Sequence, residues 1–99
     1  MSKHSPRVQI AAIWYQDEST PVHGPKTPTG KGLVLCGRRH CDIIGQYLAL
    51  TGKPTRGNTV QGFVLDIGVF VDRAQAAEIA FLAGQIEEMK DELFSEDIY

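Results

Sequence analysis

Residues 61–85 carry the clearest alternation of apolar and polar positions in the chain. Large apolar side chains fall at every second position from Phe63 to Ile67, which is the period of a strand with two unlike faces. A second apolar run covers residues 69–71, and Gly68 between the runs can take the positive φ that a tight turn requires. The pattern therefore predicts an antiparallel β-hairpin.

A helix is predicted directly after this hairpin, beginning at about Arg73. Asp72 is a good N-cap, and Gln75 follows three residues later, where it completes a capping box. Gly84 is suited to the left-handed conformation that ends many helices. The apolar positions between these two ends recur with helical spacing and predict one stripe packed on a sheet: Ala76, Ile79, Ala80 and Ala83.

The rest of the chain supplies further strands and helices. Residues 8–15 and 32–37 are rich in strand-forming side chains and are predicted to pair with each other. Residues 43–50 predict a helix that the following Gly and Pro stop, and residues 87–94 predict one more helical segment. The whole pattern predicts an α+β fold, a small antiparallel sheet of about four strands with two or three helices packed on it.

The polar segments are predicted to be loops. Residues 1–7 form a flexible tail in this interpretation, and residues 55–60 lead into the hairpin. Residues 16–31 contain three prolines and show no periodicity, which predicts a long surface loop. Such a loop in a small domain is either a lid over a site or an ornament, and its polarity favours the ornament.

Length and charge limit the classes of function. A chain of 99 residues makes a single domain, residues 1–99, and so small a domain gains considerably from forming a homo-oligomer. The net charge of -2 argues against binding a nucleic acid polymer, which needs a broad basic face. No apolar run has the length of a membrane span and no signal peptide is recognisable, which predicts a cytoplasmic protein that does not enter a membrane.

The most reactive-looking segment is GRRHCD, at the predicted N-terminus of the first helix. Arg38, Arg39 and His40 lie where free backbone N–H groups and the helix dipole favour an anion. The guanidinium group also matches the geometry of phosphate oxygens. The alternative interpretation is a solvated basic turn in which His40 only caps or packs.

Two other chemistries deserve comparison at the same segment. LVLCGRRHCD resembles the strand and Arg-His-Gly signature of histidine phosphatases, which would make His40 the nucleophile of a small phosphoesterase, although Cys41 stands in place of the Gly. Cys36 and Cys41 with His40 also suggest zinc, but their spacing is not that of a zinc knuckle. Small buried cysteines are the commoner case, and we predict no metal and no cofactor.

Phe63 and Phe70 are the aromatic residues nearest Arg73 and the hairpin. A base stacked on one of them would gain about 1–3 kcal/mol. Core packing is the more probable role for Phe70. Phe63 follows Gly62, and a glycine there permits close approach of a ligand or of another backbone, so Phe63 is predicted to face the ligand.

Five short motifs occur in an order that resembles a known group of small phage proteins, the Thoeris anti-defence family of the first type. The resemblance covers about two-thirds of the chain. The long loop at residues 16–31 and the apolar Ile67 in the turn depart from the family pattern. The motifs are GRRHCDII at 37–44, QGFV at 61–64, FVDR at 70–73, AGQI at 83–86 and LFSEDIY at 93–99.

The resemblance implies a function and a set of ligand contacts. Members of this family act as sponges in the cytoplasm of the infected bacterium: they bind cyclic ADP-ribose isomers or cyclic oligonucleotides without cutting them, and so block Thoeris or CBASS signalling. They assemble into dimers and hexamers and use no catalytic residue. Carried over by position, the ligand-binding residues are Arg38, Arg39, His40, Gln61, Phe63, Asp72, Arg73, Gln85 and Lys90.

Within that set, the resemblance gives different roles to different residues. Arg39 and His40 approach the ligand phosphates, Phe63 stacks on adenine, and Asp72 lies near the ribose or the base edge. The resemblance supports a ligand contact less strongly at Arg73, Gln85 and Lys90. Three hypotheses stay open at this point: a cyclic nucleotide sponge, a phosphoesterase using His40, and a protein that inhibits a host factor through its acidic C-terminal face.

Overall fold

A computed structural model describes residues 6–55 and 57–98 of the chain as an antiparallel four-stranded sheet covered by two helices. This is the α+β fold that the sequence predicts. The structure contains, in chain order, β1 Val8–Tyr15, β2 Leu33–Gly37, α1 His40–Thr51, β3 Thr59–Leu65, β4 Phe70–Asp72, α2 Arg73–Leu82 and a 3₁₀ turn Ser95–Asp97. Residues 1–5 of the predicted N-terminal tail lie outside the described residues.

The strand order is β2-β1-β3-β4, and every pair of neighbours is antiparallel. β1 is the central strand: its Ile13 lies opposite Leu35 of β2 on one side and opposite Gln61 of β3 on the other. On the far side of β3, Phe63 pairs with Val71 of β4. The predicted pairing of β1 with β2, the strands on either side of the long loop, is confirmed.

One face of the sheet packs against both helices. Its main core includes residues from both inner strands and from α1: Val8, Ala11, Ile13, Tyr15, Phe63, Leu65, Ile43 and Tyr47. The fully buried side chains of α2 are all small, and these three alanines allow the helix to lie close to the sheet: Ala76, Ala77 and Ala80.

The other face of the sheet carries a second, smaller apolar cluster that includes Trp14 and Phe70. The loop of residues 16–31 crosses this face. The Trp14 indole N–H donates to the carbonyl oxygen of Lys31 at 2.8 Å, and Lys26 exchanges backbone hydrogen bonds of 2.8 Å with Gly68 and Phe70. The loop is therefore a cover for the second core, which corrects its interpretation as an ornament.

The predicted hairpin and helix cap are both present. Gly68 has φ of 80° in the turn between β3 and β4. The Asp72 carboxylate accepts from the Gln75 N–H at 2.8 Å, while the Gln75 side-chain oxygen accepts from the Asp72 N–H at 3.2 Å, so the capping box is complete. Gly84, just after α2, has φ of 75°, as predicted.

The prediction of a helix over residues 87–94 is wrong. These residues form bends, and the N–H of Leu93 donates to the carbonyl oxygen of Arg73 at 3.0 Å instead of making a helical bond. Met89 is 54% exposed, whereas Leu93 is fully buried. Anchoring of Leu93 in the core therefore overrides the local helical spacing.

α1 begins at His40, inside the GRRHCD segment predicted as its N-terminus. The start of β3 differs from the prediction, because this strand begins at Thr59, inside the segment predicted as loop. α1 ends as predicted, with Gly52 at φ 73°. Within the part of the chain that the structure describes, no helix is long and apolar enough to cross a membrane.

The close approach of β4 to Gly62 gives a test of the fold. A Cβ atom at Gly62 would lie 2.9 Å from both the Asp72 Cα and the Phe70 ring, and nearer still to the Val71 carbonyl oxygen. We expect Gly62→Ala to lower the free energy of unfolding by about 3 kcal/mol, because backbone atoms cannot yield. Denaturant unfolding measures this change.

Gly45 provides the matched control. It lies inside α1, and a Cβ there would meet nothing within 4 Å. Gly45→Ala is expected to raise stability by about 0.5–1 kcal/mol, since alanine loses less backbone entropy in a helix. Equal effects of the two substitutions would show that the contact between Gly62 and β4 is not as described.

Candidate functional site

The N-termini of the two helices meet at one end of the helix-covered face. His40 is the first residue of α1 and Arg73 is the first residue of α2. Their side chains approach to 3.5 Å, between Nη2 of Arg73 and Nδ1 of His40. The N-termini of the two helices, which carry the positive ends of the helix dipoles, therefore lie close together.

His40 is buried at this meeting point. Its Nε2 lies 2.8 Å from the carbonyl oxygen of Gly62, and its ring packs edge-on against Phe63 at a centroid distance of 5.2 Å. A carbonyl oxygen only accepts, so Nε2 carries the proton and donates. Nδ1 is then the acceptor, and it faces the Arg73 guanidinium.

This environment keeps His40 neutral near pH 7. Burial lowers the pKa of His40, and the charge of Arg73 lowers it further, against the opposing effects of the Gly62 hydrogen bond and Glu96. Both ring nitrogens also have neighbours in the described structure. A nucleophilic histidine needs a nitrogen directed at its substrate, and this geometry weighs against that role.

Arg73 links the segments around the site. Its Nη2 donates to the Gln61 side-chain oxygen at 2.6 Å, and its guanidinium carbon lies 4.6 Å from the centre of the Phe94 ring. The Arg73 Nε is buried and has no hydrogen-bond partner among the described residues. Arg73 thus joins β3, α1 and the C-terminal segment through a single side chain.

The positive charge of the site comes from arginines at both helix N-termini. Arg39 is the N-cap residue of α1 in an extended conformation, and its Nη1 lies 4.0 Å from a carboxylate oxygen of Glu96. Arg38, one residue earlier, is exposed. Arg39 and Arg73 thus lie at the two N-termini together with the acidic side chains of Asp42, Asp72 and Glu96, of which Glu96 is 71% exposed. The arginines and the helix N-termini favour an anion, and phosphate is the anion that arginine fits best.

The structure corrects the role predicted for Phe63. This side chain has no exposed surface and lies in the main core between the sheet and the helices. Gly62 is needed because β4 approaches it closely, and not because a ligand does. Phe70 is buried in the second core, as predicted. Neither phenylalanine presents a ring to solvent in this chain.

Three further predicted ligand residues have structural partners. Asp72 caps α2 through its carboxylate. Gln85 clamps the start of β1, because its amide accepts from the Val8 N–H and donates to the Val8 carbonyl oxygen, both at 2.8 Å. Lys90 donates to Asp97 at 2.6 Å, and this bond lowers the pKa of the Asp97 carboxyl.

Gln85 and Lys90 lie apart from the arginine cluster in their contacts. They line a separate cavity of about 320 Å³ together with Ile86, Glu87, Glu88 and Asp97. Apart from Phe63 and Asp72, the predicted site residues therefore divide into two groups. Arg38, Arg39, His40, Gln61 and Arg73 lie at or beside the helix N-termini, whereas Gln85 and Lys90 border this cavity.

Sequence reasoning missed two residues of the site, Phe94 and Glu96. Both belong to the LFSEDIY segment, whose role was not assigned residue by residue. Adjacent Leu93 and Phe94 take opposite environments: Leu93 is fully buried, whereas Phe94 is 38% exposed beside Arg73. Among residues 6–55 and 57–98, no group of three or more His, Cys, Asp and Glu residues comes together as a metal site would require.

The buried, neutral His40 predicts how stability depends on pH. The unfolded chain takes up a proton at a pKa of about 6.5, whereas the folded chain takes it up only at a lower pH. The stability due to neutral His40 is thus fully present above about pH 6.5. It is lost as the pH falls from that value toward the folded pKa.

We therefore expect the melting temperature of the wild-type chain to fall more steeply between pH 7 and pH 5 than that of His40→Gln. Glutamine can still donate to the Gly62 carbonyl but does not titrate. The carboxyl groups of Glu18 and Asp97, whose pKa values are also lowered, are common to both proteins and cancel in the difference. Parallel curves would show that His40 is not held neutral by the fold.

Comparison with known families adds one finding. A family model described as phage T4 y16D protein matches residues 7–99. The match covers nearly the whole chain, and the chain therefore belongs to this family of phage proteins. No curated protein and no solved structure shows a significant match. The family description names neither a ligand nor an activity.

Proposed function

We propose that this member of the phage T4 y16D family is an anti-defence protein that binds a cyclic nucleotide immune signal and sequesters it without cleavage. The observation that carries the proposal is the convergence of two helix N-termini and three arginines on one region. Sequestration needs affinity for phosphate and no catalytic group. The site offers the first, and the buried His40 is a poor nucleophile.

The motif resemblance supports the same proposal. Four of the five motifs meet through direct contacts: His40 with Gly62, Arg73 with Gln61, and both Arg39 and Arg73 with the LFSEDIY segment. QGFV and FVDR are neighbours in one hairpin, whereas GRRHCDII and LFSEDIY are distant from that hairpin along the chain. Their meeting is what a ligand site built from several motifs would require.

Within this proposal the phosphate contacts belong to Arg38 and Arg39. His40 positions Arg73 and the start of α1 and does not itself touch the ligand. The stacking role expected of Phe63 passes to Phe94, whose ring is partly exposed and already carries the Arg73 guanidinium near one face. Stacking tolerates different bases, which suits a protein that binds both cyclic ADP-ribose isomers and cyclic oligonucleotides.

A single experiment separates this proposal from the other two hypotheses. The protein is incubated with a panel of cyclic nucleotides, the unbound fraction is removed by filtration, and the retained ligand is released by heat and identified by chromatography. Recovery of intact ligand supports sequestration. Conversion of the ligand would favour a phosphoesterase, and no retention of any ligand would favour inhibition of a host protein. The proposal places this activity in the cytoplasm of the infected bacterium.

Arg39→Ala tests the phosphate contact. We expect it to weaken nucleotide binding by about 1.5–3 kcal/mol, the range of a hydrogen bond to a charged group. Arg7→Ala is the charge-matched control, because exposed Arg7 lies beyond the opposite end of β3, beside Asp66. Calorimetry of both variants gives the comparison. Equal weakening would indicate only a loss of overall positive charge.

Phe94→Ala tests the stacking role. It should weaken every nucleotide that the protein binds by about 1–3 kcal/mol, since stacking does not depend on the hydrogen-bonding edge of the base. Phe81→Ala removes a phenylalanine of α2 with similar exposure, 40% against 38%, and should leave affinity unchanged. If Phe94→Ala binds like the wild type, the base lies elsewhere, for example in the cavity beside Lys90.

A further inference from the structure

The two edges of the sheet differ in how they are covered. β4 forms one edge, where the long loop supplies a partner: the Phe70 N–H donates to the Lys26 carbonyl oxygen at 2.8 Å. β2 forms the other edge. No strand among residues 6–55 and 57–98 pairs with the outer side of β2.

The alternation of antiparallel pairing shows which β2 groups face outward. The Gln16 N–H donates to the carbonyl oxygen of Asn58 at 2.9 Å, so even-numbered residues of β1 bond to β3 and odd-numbered ones bond to β2. Val34 and Cys36 therefore direct their N–H and C=O groups away from the sheet. The β2 residues whose backbone faces β1 are Leu33, Leu35 and Gly37.

β2 lacks the features that normally protect an edge strand. Its sequence, LVLCG, contains no charge and no proline, and its pairing with β1 runs without a bulge. Its side chains are apolar toward both faces of the sheet: Leu35 packs toward the main core and Cys36 toward the second cluster. Just before the strand, the Gly32 N–H donates to the Thr20 hydroxyl at 2.9 Å.

We propose that a second copy of this chain docks at this edge by antiparallel pairing of β2 with β2, about a two-fold axis at Leu35. In that register Val34 of each copy lies opposite Cys36 of the other. Their outward N–H and C=O groups then form about four inter-chain hydrogen bonds. The register uses only residues of β2 and doubles the four-stranded sheet into one continuous sheet.

The properties of the strand favour a second copy over an unrelated peptide. In antiparallel pairing the outward backbone groups of Val34 in one copy meet those of Cys36 in the other. The side chains of the paired strands are apolar on both faces of the sheet. Lys31 and Arg38 flank the two ends of β2, and antiparallel pairing brings these like charges together, so the backbone and apolar contacts of the dimer must outweigh their repulsion. Added salt should therefore strengthen the dimer, whereas salt would weaken the docking of an acidic peptide. The proposal holds whether or not a nucleotide binds.

Sedimentation without nucleotide tests the backbone contact. Cys36→Pro removes an outward N–H group that β1 does not use, and edge strands tolerate proline at such positions. Cys36→Val changes the same side chain but keeps the N–H. We expect the wild type and Cys36→Val to sediment as dimers or larger assemblies, and Cys36→Pro to dissociate at least tenfold more readily. A monomeric wild type at micromolar concentration would overturn the proposal.

Disulfide trapping tests the register and does not depend on the folding of the proline variant. Leu35→Cys, in a chain that also carries Cys36→Val and Cys41→Ser, places a single thiol on the two-fold axis. Cα atoms of such a non-hydrogen-bonded pair lie about 4.5 Å apart, within reach of a disulfide. Mild oxidation should give mainly covalent dimer, and more of it at high salt.

Ala49→Cys in the same background is the control, because exposed Ala49 lies on α1. It should cross-link only weakly. Equal trapping of the two variants, or assemblies that persist in Cys36→Pro and do not trap through residue 35, would place the interface elsewhere. Circular dichroism of each variant confirms that the sheet is intact.

Discussion

The burial of β1 on both faces is the constraint on which the rest of the structure depends. Ala11, Ile13 and Tyr15 point into the core beneath the helices, while Ala12 and Trp14 point into the second cluster. A strand of this kind needs a covering layer on each side. The described residues, 6–55 and 57–98, form two α-helices that both lie on one face, and the long loop crosses the other. Its anchors at Lys26 and Lys31 follow from that requirement.

The same sheet positions the candidate site. Gly62 lies on β3, where it accepts from His40 and leaves room for β4. That contact fixes the N-terminus of α1, and the Arg73 side chain then draws the N-terminus of α2 to the same point. Several polar residues of the motifs are thus used to hold the helices in place. The ligand contacts that we propose come from exposed and partly exposed side chains, the arginines and Phe94.

Local rules predicted those features whose causes are local. The turn at Gly68 and the capping box at Asp72 depend on residues close in sequence, and both are present. These local rules could not predict the environment of Phe63. The alternation of apolar and polar residues distinguishes the two faces of a strand but does not show that both faces are buried. The helical spacing in residues 87–94 was equally misleading, since the bond between Leu93 and Arg73 joins distant segments. For the same reason Phe94 could be recognised only once its distance to Arg73 was known.

The clamp between Gln85 and Val8 has a consequence for the order in which the protein folds. The two residues are 77 positions apart, and the clamp holds the start of the first strand. β1 leaves the ribosome first, yet β3, β4 and Gln85 follow only much later. β1, which is apolar on both faces, therefore stays uncovered until these later segments have been synthesised. Contacts so distant in sequence form slowly. Until β3, β4 and Gln85 have been synthesised, the exposed apolar strand can associate with an exposed strand of another chain.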